Sequence, residues 1–147
     1  TYEGQAAIEL EQAVVPEAGA YQGQVVHERG MWIMDPFPMV QEVVGDLRKG
    51  LAPGAIAARF HNGLVQLLAE AAVAAGRAEK LARVALSGGV FQNAYLSQRL
   101  EERLERLGFE VYCHEKVPAN DACISLGQAY VGAHRPGAVD GPGRTEG

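Results

Sequence analysis

A pair of glycines between an apolar run and a helical stretch is the segment best suited to binding a ligand. Gly88 and Gly89 follow the apolar run 82–86, and Asn93 lies shortly after them. Glycines let the backbone approach a ligand closely, and a helix start offers free N–H groups to phosphate. The segment predicts a phosphate-binding turn, with Asn93 in the first helical turn near a ribose hydroxyl or a base. A strand-to-helix turn without a ligand is the alternative.

Other nucleotide-binding and covalent chemistries do not match this sequence. It contains neither the G-x-x-x-x-G-K-[ST] pattern of a Walker A loop nor the G-x-G-x-x-G spacing of a dinucleotide-binding fold. No Ser-His-Asp or Cys-His order indicates a covalent triad, and the sequence identifies no catalytic residue.

A polar segment, 118–123 (PANDAC), lies between an apolar strand and the last predicted helix. It places Asp121 at the carboxyl edge of the sheet, where ligands of open α/β sheets bind. The Gly88–Gly89 turn is expected at the same edge, so the two segments should converge. Asp121 could there bind a divalent metal that meets nucleotide phosphates. A helix N-cap is the alternative role.

The remaining histidines and cysteines favour structural roles. His61 follows the apolar Phe60 on a long helix, which indicates a polar, partly buried packing role. Cys113 and His114 are adjacent on a predicted strand and would face opposite sides, so joint metal binding is not expected. Cys123 is typical of a small core residue.

Alternating helix and strand patterns predict an α/β fold that positions these segments. Helices are predicted over 4–14, 36–49, 53–76, 91–107 and 121–133, and strands over 24–27, 31–34, 82–86 and 109–113. The unit 82–113 reads as strand, glycine turn, helix, strand, which indicates a parallel pair with a right-handed crossover.

Single residues mark where these helices should begin and end. Asp35 is a suitable N-cap with Pro36 as the first helical residue, and Gly50, Gly76 and Gly108 are suitable C-terminal stops. In the last helix, Ile124, Leu126, Ala129 and Val131 are available for burial.

Composition and charge narrow the class of protein. Apolar residues make up 48% and charged residues 21%, as in globular proteins. The net charge of −5 argues against broad binding to nucleic acid or to an anionic membrane. No apolar run approaches the roughly 20 residues of a membrane span. Two cysteines outside any C-x-x-C unit favour a reducing cytoplasm.

The two ends of the chain carry expectations of their own. Residues 1–4 resemble no signal peptide and lack an initiator Met, so the chain is expected to be cut from a longer protein. The segment 135–147 is rich in Pro and Gly without periodicity, which predicts a flexible tail after a domain over 1–134.

Four segments resemble, in order, the C-terminal part of the hydrogenase-maturation carbamoyltransferases, the HypF family. They are 2–11 (YEGQAAIELE), 57–62 (AARFHN), 84–93 (VALSGGVFQN, followed by LERLGFEV at 104–111) and 117–129 (VPANDACISLGQA). Ala122, Cys123 and Ser125 depart from the family's pattern, which has two glycines after Asp121 and then an apolar residue and Ala-Leu-Gly-Gln.

The resemblance implies a fold and a reaction. The fold is α/β, one lobe of an actin-like (ASKHA, ribonuclease-H-like) domain with a mixed sheet and helices packed on it. It is similar to the Kae1/TsaD-type tRNA threonylcarbamoyladenosine synthases. The implied enzyme is a carbamoyltransferase that forms carbamoyl-adenylate from carbamoyl phosphate and ATP. It passes the carbamoyl group to the C-terminal cysteine of a HypE-like partner, where it becomes a cyanide ligand of [NiFe]-hydrogenase.

The same resemblance implies roles for four residues. Asn93 would contact the nucleoside, Asp121 would help hold a divalent metal (Fe, Zn or Mg), and Gly88 and Gly89 would line the phosphates. The family's His-x-x-x-His metal ligands do not occur in this sequence. We therefore expect no turnover by the isolated chain.

Two other functions stay open. One is a lobe of a tRNA threonylcarbamoyl-transfer enzyme, although the acidic charge and the Tyr-Glu-Gly-Gln sequence at 2–5 favour the hydrogenase-maturation family. The other is a non-catalytic nucleotide-binding module. The departures at Ala122 and Cys123 keep that reading open, since a side chain beside the metal-binding Asp could narrow the site.

Overall fold

The secondary structure alternates helices with short strands in a computed structural model that describes residue 2 and residues 4–134; the tail predicted over 135–147 lies outside them. The helices are α1 (Gln5–Gln12), α2 (Phe37–Arg48), α3 (Pro53–Glu79), α4 (Ala94–Arg106) and α5 (Ile124–Ala133). The strands are β1 (Gln24–Glu28), β2 (Met31–Asp35), β3 (Arg83–Ala85) and β4 (Glu110–Tyr112), and 3-10 turns cover Gly89–Gln92 and Asp121–Cys123.

The main core lies between α3, α4 and the strand pair β3–β4. Leucines at four-residue spacing on α4, at 96, 100 and 104, are buried against Val65 and Ala69 of α3. The strands β3 and β4 are parallel, with Val84 opposite Val111, and both valines pack against this core. The predicted parallel pair is thus confirmed, and it fixes the ends of both strands relative to α4.

A second core joins α2 and α3 to the segment before the hairpin. Met39 of α2 and Ile56 and Leu67 of α3 enclose Tyr21. A Cβ atom at Gly63 would clash with the Tyr21 carbonyl oxygen, so glycine is required where this segment crosses α3. The strands β1 and β2 form a separate antiparallel pair, joined through Arg29 and Gly30.

The hairpin turn has a defined type that the sequence left open. Arg29 has φ 51° and Gly30 has φ 78°. Positive φ at both central residues is the signature of a type I′ turn, whose twist matches that of the strands. Strand β2 leaves apolar side chains exposed, since Met31, Trp32 and Met34 are all more than two-fifths exposed.

Several helix ends differ from the sequence prediction, and the structure gives a physical reason for two of them. Asp35 closes β2, and its Oδ1 accepts a 2.9 Å hydrogen bond from the Phe37 backbone N–H. Pro36 is the N-cap, so α2 begins at Phe37 rather than at Pro36. Gly76 does not end α3, which continues to Glu79 with the left-handed Lys80 (φ 55°) as C-cap. Gly76 is needed for another reason, because a Cβ there would lie 2.8 Å from the Phe109 ring.

The last helix, α5, carries apolar residues that the sequence makes available for burial, and within the described chain these residues stay exposed. Ile124, Leu126 and Val131 are 52%, 56% and 59% exposed. The physical reason is that α5 contacts chiefly the 3-10 turn before it. Among the described residues, none of the helices combines the length and apolar character needed to cross a bilayer.

Candidate functional site

The two segments predicted to converge do meet at the carboxyl ends of β3 and β4. The Gly88 backbone N–H donates a 2.8 Å hydrogen bond to the Ala119 carbonyl oxygen. A Cβ built on Gly89 would lie 4.0 Å from Cβ of Asn120. The glycine turn and the segment that carries Asp121 therefore form neighbouring walls at one edge of the parallel pair.

Hydrogen bonds beyond the short strands hold these walls in register. The Leu86 N–H donates to the Tyr112 carbonyl at 2.9 Å, and Ser87 Oγ lies 2.9 Å from His114 Nε2. The chain then reverses at Gly88, whose φ of 112° is a conformation that side-chain-bearing residues rarely adopt. A turn of this shape requires the glycine that the sequence places there.

Asn93 lies at the N-cap of α4 rather than in its first turn, which corrects the predicted placement. Its Oδ1 accepts a 2.8 Å hydrogen bond from the Leu96 backbone N–H. The 3-10 turn Gly89–Gln92 separates the glycines from the α-helix. Asparagine is a preferred N-cap because its side chain satisfies one of the unpaired N–H groups at the helix start.

A carboxylate from a distant part of the chain binds two further backbone N–H groups at the start of α4. Glu11, at the end of α1, accepts hydrogen bonds from the backbone N–H groups of Ala94 at 2.7 Å and Tyr95 at 3.3 Å. A negative charge is stabilised at this end of a helix. The N–H groups predicted to be free at the start of α4 are therefore already bonded at Ala94 and Tyr95.

The second contact of Asn93 was not foreseen from the sequence. Its Nδ2 lies 2.8 Å from Nε2 of His61 on α3. His61 is 3% exposed, and its Nδ1 lies 2.8 Å from the Ala57 carbonyl oxygen. The predicted packing role of His61 is confirmed, but no sequence signal joins it to an asparagine 32 positions away.

Asp121 begins a 3-10 turn and leaves its carboxylate exposed. Asn120 is the N-cap of that turn, with its Oδ1 accepting from the Ala122 N–H at 3.1 Å, so the alternative role of Asp121 as a cap is wrong. No side-chain hydrogen bond or ion pair joins the Asp121 carboxylate to another described residue. A free carboxylate oxygen suits a divalent metal.

The fit to a metal is limited to this one ligand. In the described part of the chain, no group of three or more His, Cys, Asp or Glu side chains could hold a metal ion. Metal sites in proteins usually need three or more ligands. Asp121 can therefore complete a site but cannot build one alone.

The cysteine at the end of β4 is not poised for covalent chemistry. Cys113 lies just beyond the strand, and burial, followed by the charges of Glu101, Glu105 and Glu115, raises the pKa of its thiol. A nucleophilic cysteine needs the opposite shift, since the thiolate is the reactive form. Cys123 is half-buried rather than a core residue.

The most perturbed tyrosine lies away from this edge, in a charged cluster that ties α2 to α3. Burial, followed by a 3.0 Å hydrogen bond to Asp46 Oδ2, raises the pKa of Tyr21 to about 12. Arg59 donates to the same carboxylate oxygen at 3.0 Å. The hydroxyl, carboxylate and guanidinium pair with one another, although Arg59 Nε has no hydrogen-bond partner among the described residues. We assign the cluster a structural role.

Comparison with protein families gives one match that spans most of the chain. A family described as "Carbamoyltransferase, Kae1-like Domain, second subdomain" matches residues 1–128. Carbamoyltransferase HypF of Synechocystis sp. is 33% identical over 130 residues, which is 87% of this chain and 16% of that protein. Carbamoyltransferase HypF of Rhodobacter capsulatus is 34% identical over 141 residues, or 90% and 17%. The chain thus spans about a sixth of these relatives' length.

Two solved structures share the fold. A crystal structure of full-length HypF in a phosphate- and nucleotide-bound form superposes with a TM-score of 0.87 and 38% identity, over 95% of this chain and 19% of that one. HypF of T. kodakarensis superposes with a TM-score of 0.73 and 26% identity, over 90% and 17%. The predicted fold class, one α/β lobe of an actin-like, Kae1-like domain, is confirmed.

Proposed function

The chain belongs to the carbamoyltransferase HypF family, and we propose that it supplies one wall of the nucleotide-binding cleft of a carbamoyltransferase. The observation that carries this proposal is the meeting of the Gly88–Gly89 turn with the Asn120–Asp121 segment at one sheet edge. Ligands of α/β sheets bind at this edge, and the similar full-length HypF was crystallised with phosphate and nucleotide.

The glycine turn and Asn93 would bind different parts of ATP. The turn formed by Gly88, which has a positive φ, and by Gly89 brings backbone close to the phosphates. Asn93 donates from its amide to the nucleoside. The fit is physical, because Asn93 uses one amide hydrogen on His61 and keeps a second. These residues bind and orient the nucleotide, and none of them is a nucleophile or a general base.

The metal proposed at this edge is divalent, with Asp121 as one of its ligands. The carboxylate is exposed and free of other described partners, which fits that role. When bound, such an ion would neutralise phosphate charge. The other ligands must come from outside the described residues, which also supports the proposal that this lobe alone does not turn over.

In the reaction we propose, water releases phosphate from carbamoyl phosphate, and the carbamate oxygen attacks the α-phosphate of ATP to form carbamoyl-adenylate and expel pyrophosphate. The C-terminal cysteine thiol of a HypE-like maturation protein then takes the carbamoyl group, and AMP leaves. The relatives named above are carbamoyltransferases HypF rather than tRNA-modifying enzymes, which favours this acceptor over a tRNA. The departures at Ala122 and Cys123 bear on the metal-facing wall, where they replace glycines.

Calorimetric titration of the longest natural polypeptide that carries this chain with ATP and AMP, with and without Mg²⁺ or Zn²⁺, tests the binding site. We expect Asn93→Ser, which keeps a capping oxygen but loses the amide donor, to weaken nucleotide binding about tenfold, or ~1.4 kcal/mol. Asp121→Asn should abolish the dependence of binding on the metal while leaving metal-free binding unchanged.

The matched control is Gln98→Ala, an exposed position on α4 beyond the cap, which should bind as the parent does. Circular dichroism confirms that each variant is folded. Equal affinity of the parent and Asn93→Ser for both nucleotides would contradict the site. Carbamoyl-phosphate-dependent formation of AMP by residues 1–147 alone would contradict the proposal that this lobe is incomplete.

A further inference from the structure

His61 is a buried polar residue to which the proposed function gives no role. It lies on α3 among apolar neighbours and is the one polar or charged side chain, among the described residues, that is classed with the buried core. A buried polar group is costly unless its hydrogen bonds are satisfied. An apolar residue would fill this place at lower cost, so the partners of the imidazole indicate what it does.

The hydrogen bonds of His61 determine where its proton lies. Nδ1 faces the Ala57 carbonyl oxygen at 2.8 Å, and a carbonyl can only accept. The proton is therefore assigned to Nδ1, which leaves a lone pair on Nε2. That lone pair faces Nδ2 of Asn93 at 2.8 Å, so the asparagine amide donates and His61 accepts.

Aromatic neighbours hold the ring in place. The Phe60 and Tyr95 rings meet the imidazole edge-to-face, with centroids 6.1 Å and 5.6 Å away. The Tyr95 hydroxyl in turn donates to Asn62 Oδ1 at 2.9 Å. The imidazole is thus fixed by hydrogen bonds and by packing, and its Nε2 has one direction in which to accept.

Both the oxygen and the nitrogen of the Asn93 amide therefore have a hydrogen-bond partner. Oδ1 accepts from the Leu96 N–H, and Nδ2 donates to His61. An N-cap bond alone would leave the amide group without a fixed partner on its nitrogen. With both bonds made, one Nδ2 hydrogen remains for a ligand, in an orientation set by the protein before the ligand arrives.

We propose that His61 is a positioning residue for nucleotide binding, which aims the remaining amide hydrogen of Asn93 at an acceptor on the nucleoside. The inference rests on the proposed function, in which Asn93 contacts that nucleoside. Ordering the amide in advance removes an entropic cost from binding. His61 itself does not touch the nucleotide.

The test uses two substitutions of His61 in the longest natural polypeptide that carries this chain. His61→Phe keeps a ring of similar size but removes the acceptor. His61→Gln can present its side-chain oxygen to the Asn93 amide and so restore an acceptor. We expect His61→Phe to raise the Kd for AMP about tenfold, or ~1.4 kcal/mol, and His61→Gln to bring it back within about threefold of the parent.

A double-mutant cycle separates positioning from general loss of packing. In an Asn93→Ser background, His61→Phe should have no further effect on the Kd, because the group it positions is already gone. The affinity for carbamoyl phosphate, measured in the same variants, should not change. A merely structural role would instead lower stability and both affinities, with the effects of His61 and Asn93 adding.

The outcomes distinguish this inference from the function on which it rests. If Asn93→Ser binds AMP as tightly as the parent, the nucleotide site itself is wrong and the inference falls with it. If Asn93→Ser weakens binding but His61→Phe does not, or if the two effects add, only the positioning role is overturned. If His61→Phe fails to fold, His61→Leu, which also lacks an acceptor, takes its place in the parent and Asn93→Ser backgrounds.

Discussion

The helices α4 and α5 both carry apolar residues at helical spacing, yet only one of them is buried. The leucines of α4 at 96, 100 and 104 are 2% exposed or less. On α5, by contrast, Leu126 is 56% exposed and Tyr130 is 65% exposed. The difference does not lie in the local pattern but in what the chain provides to pack against each helix.

This contrast shows the limit of an apolar pattern as a predictor. Such a pattern indicates that a helix gains by covering one face. It does not say whether the covering surface lies in the same stretch of sequence. The chain spans about a sixth of its relatives. Its exposed large apolar residues collect mainly on α2, β2 and α5.

Replacing one leucine with alanine in each helix should give the largest difference in stability between α4 and α5. Leu100→Ala should destabilise the chain by about 3 kcal/mol, because it removes a fully buried side chain and leaves a cavity. Leu126→Ala should cost under about 0.5 kcal/mol, because the side chain is already in water. Urea unfolding of both variants measures the difference. Equal losses would mean that α5 is buried in solution, by self-association or by folding back.

Replacing a glycine with alanine should lower the stability when the glycine lies in the buried helix α3 and raise it when the glycine lies in the exposed helix α5. Gly63→Ala would place a Cβ against the Tyr21 carbonyl and the Met39 methyl, and it should cost about 2 kcal/mol. On α5, a Cβ at Gly127 would meet nothing within 4 Å. Gly127→Ala should therefore stabilise the helix by up to about 1 kcal/mol. Thermal denaturation of each variant checks both signs, and a stabilising Gly63→Ala would contradict the described packing.

Removing a tyrosine hydroxyl, either in the core or on α5, should change the stability by a smaller amount. Tyr21 is 3% exposed and donates to Asp46, so Tyr21→Phe should lose about 1 to 2 kcal/mol for a hydrogen bond to a charged group. Tyr130→Phe on α5 is the matched control and should change stability by less than about 0.5 kcal/mol. Urea unfolding compares them. No loss in Tyr21→Phe would mean that Asp46 and its other partners compensate fully.

The fold was predictable wherever partners are close in sequence. The strand, glycine turn, helix and strand between 82 and 113 follow from apolar runs and turn residues alone. Helix ends were less predictable, because a glycine signals a stop but has other uses. Gly76 is a glycine because Phe109 packs on it, while Lys80 adopts the left-handed conformation that ends α3.

The site was predictable as a place but not as a set of contacts. Loop residues after two parallel strands must share an edge, so the meeting of Gly88 with the Asn120–Asp121 segment could be foreseen. The bonds of Glu11 to the start of α4 and of His61 to Asn93 could not. They join residues 83 and 32 positions apart, and no local pattern encodes pairings that only the folded core brings together.

The smallest expected effect is a change of stability with pH. Helix α5 should not contribute to it, because that helix carries no Asp, Glu, His, Lys or Arg. Hydrogen bonds from Lys49, and then from Tyr21 and Arg59, hold the pKa of Asp46 below its usual value, although burial opposes the shift. Folding therefore favours the ionised carboxylate. Its contribution is present above the unfolded pKa of about 3.9 and is lost as the pH falls through the lower, folded value.

The measurement is the Tm of the parent and of Asp46→Asn between about pH 7 and about pH 3. We expect the parent to be more stable near neutrality and the two curves to converge in acid. The effect should be modest, since Lys49 is largely exposed and water screens the pair. Glu70→Gln, an exposed carboxylate on α3, should follow the parent throughout. A difference between parent and Asp46→Asn that stays constant with pH would mean that packing, and not the charge of Asp46, joins α2 to α3.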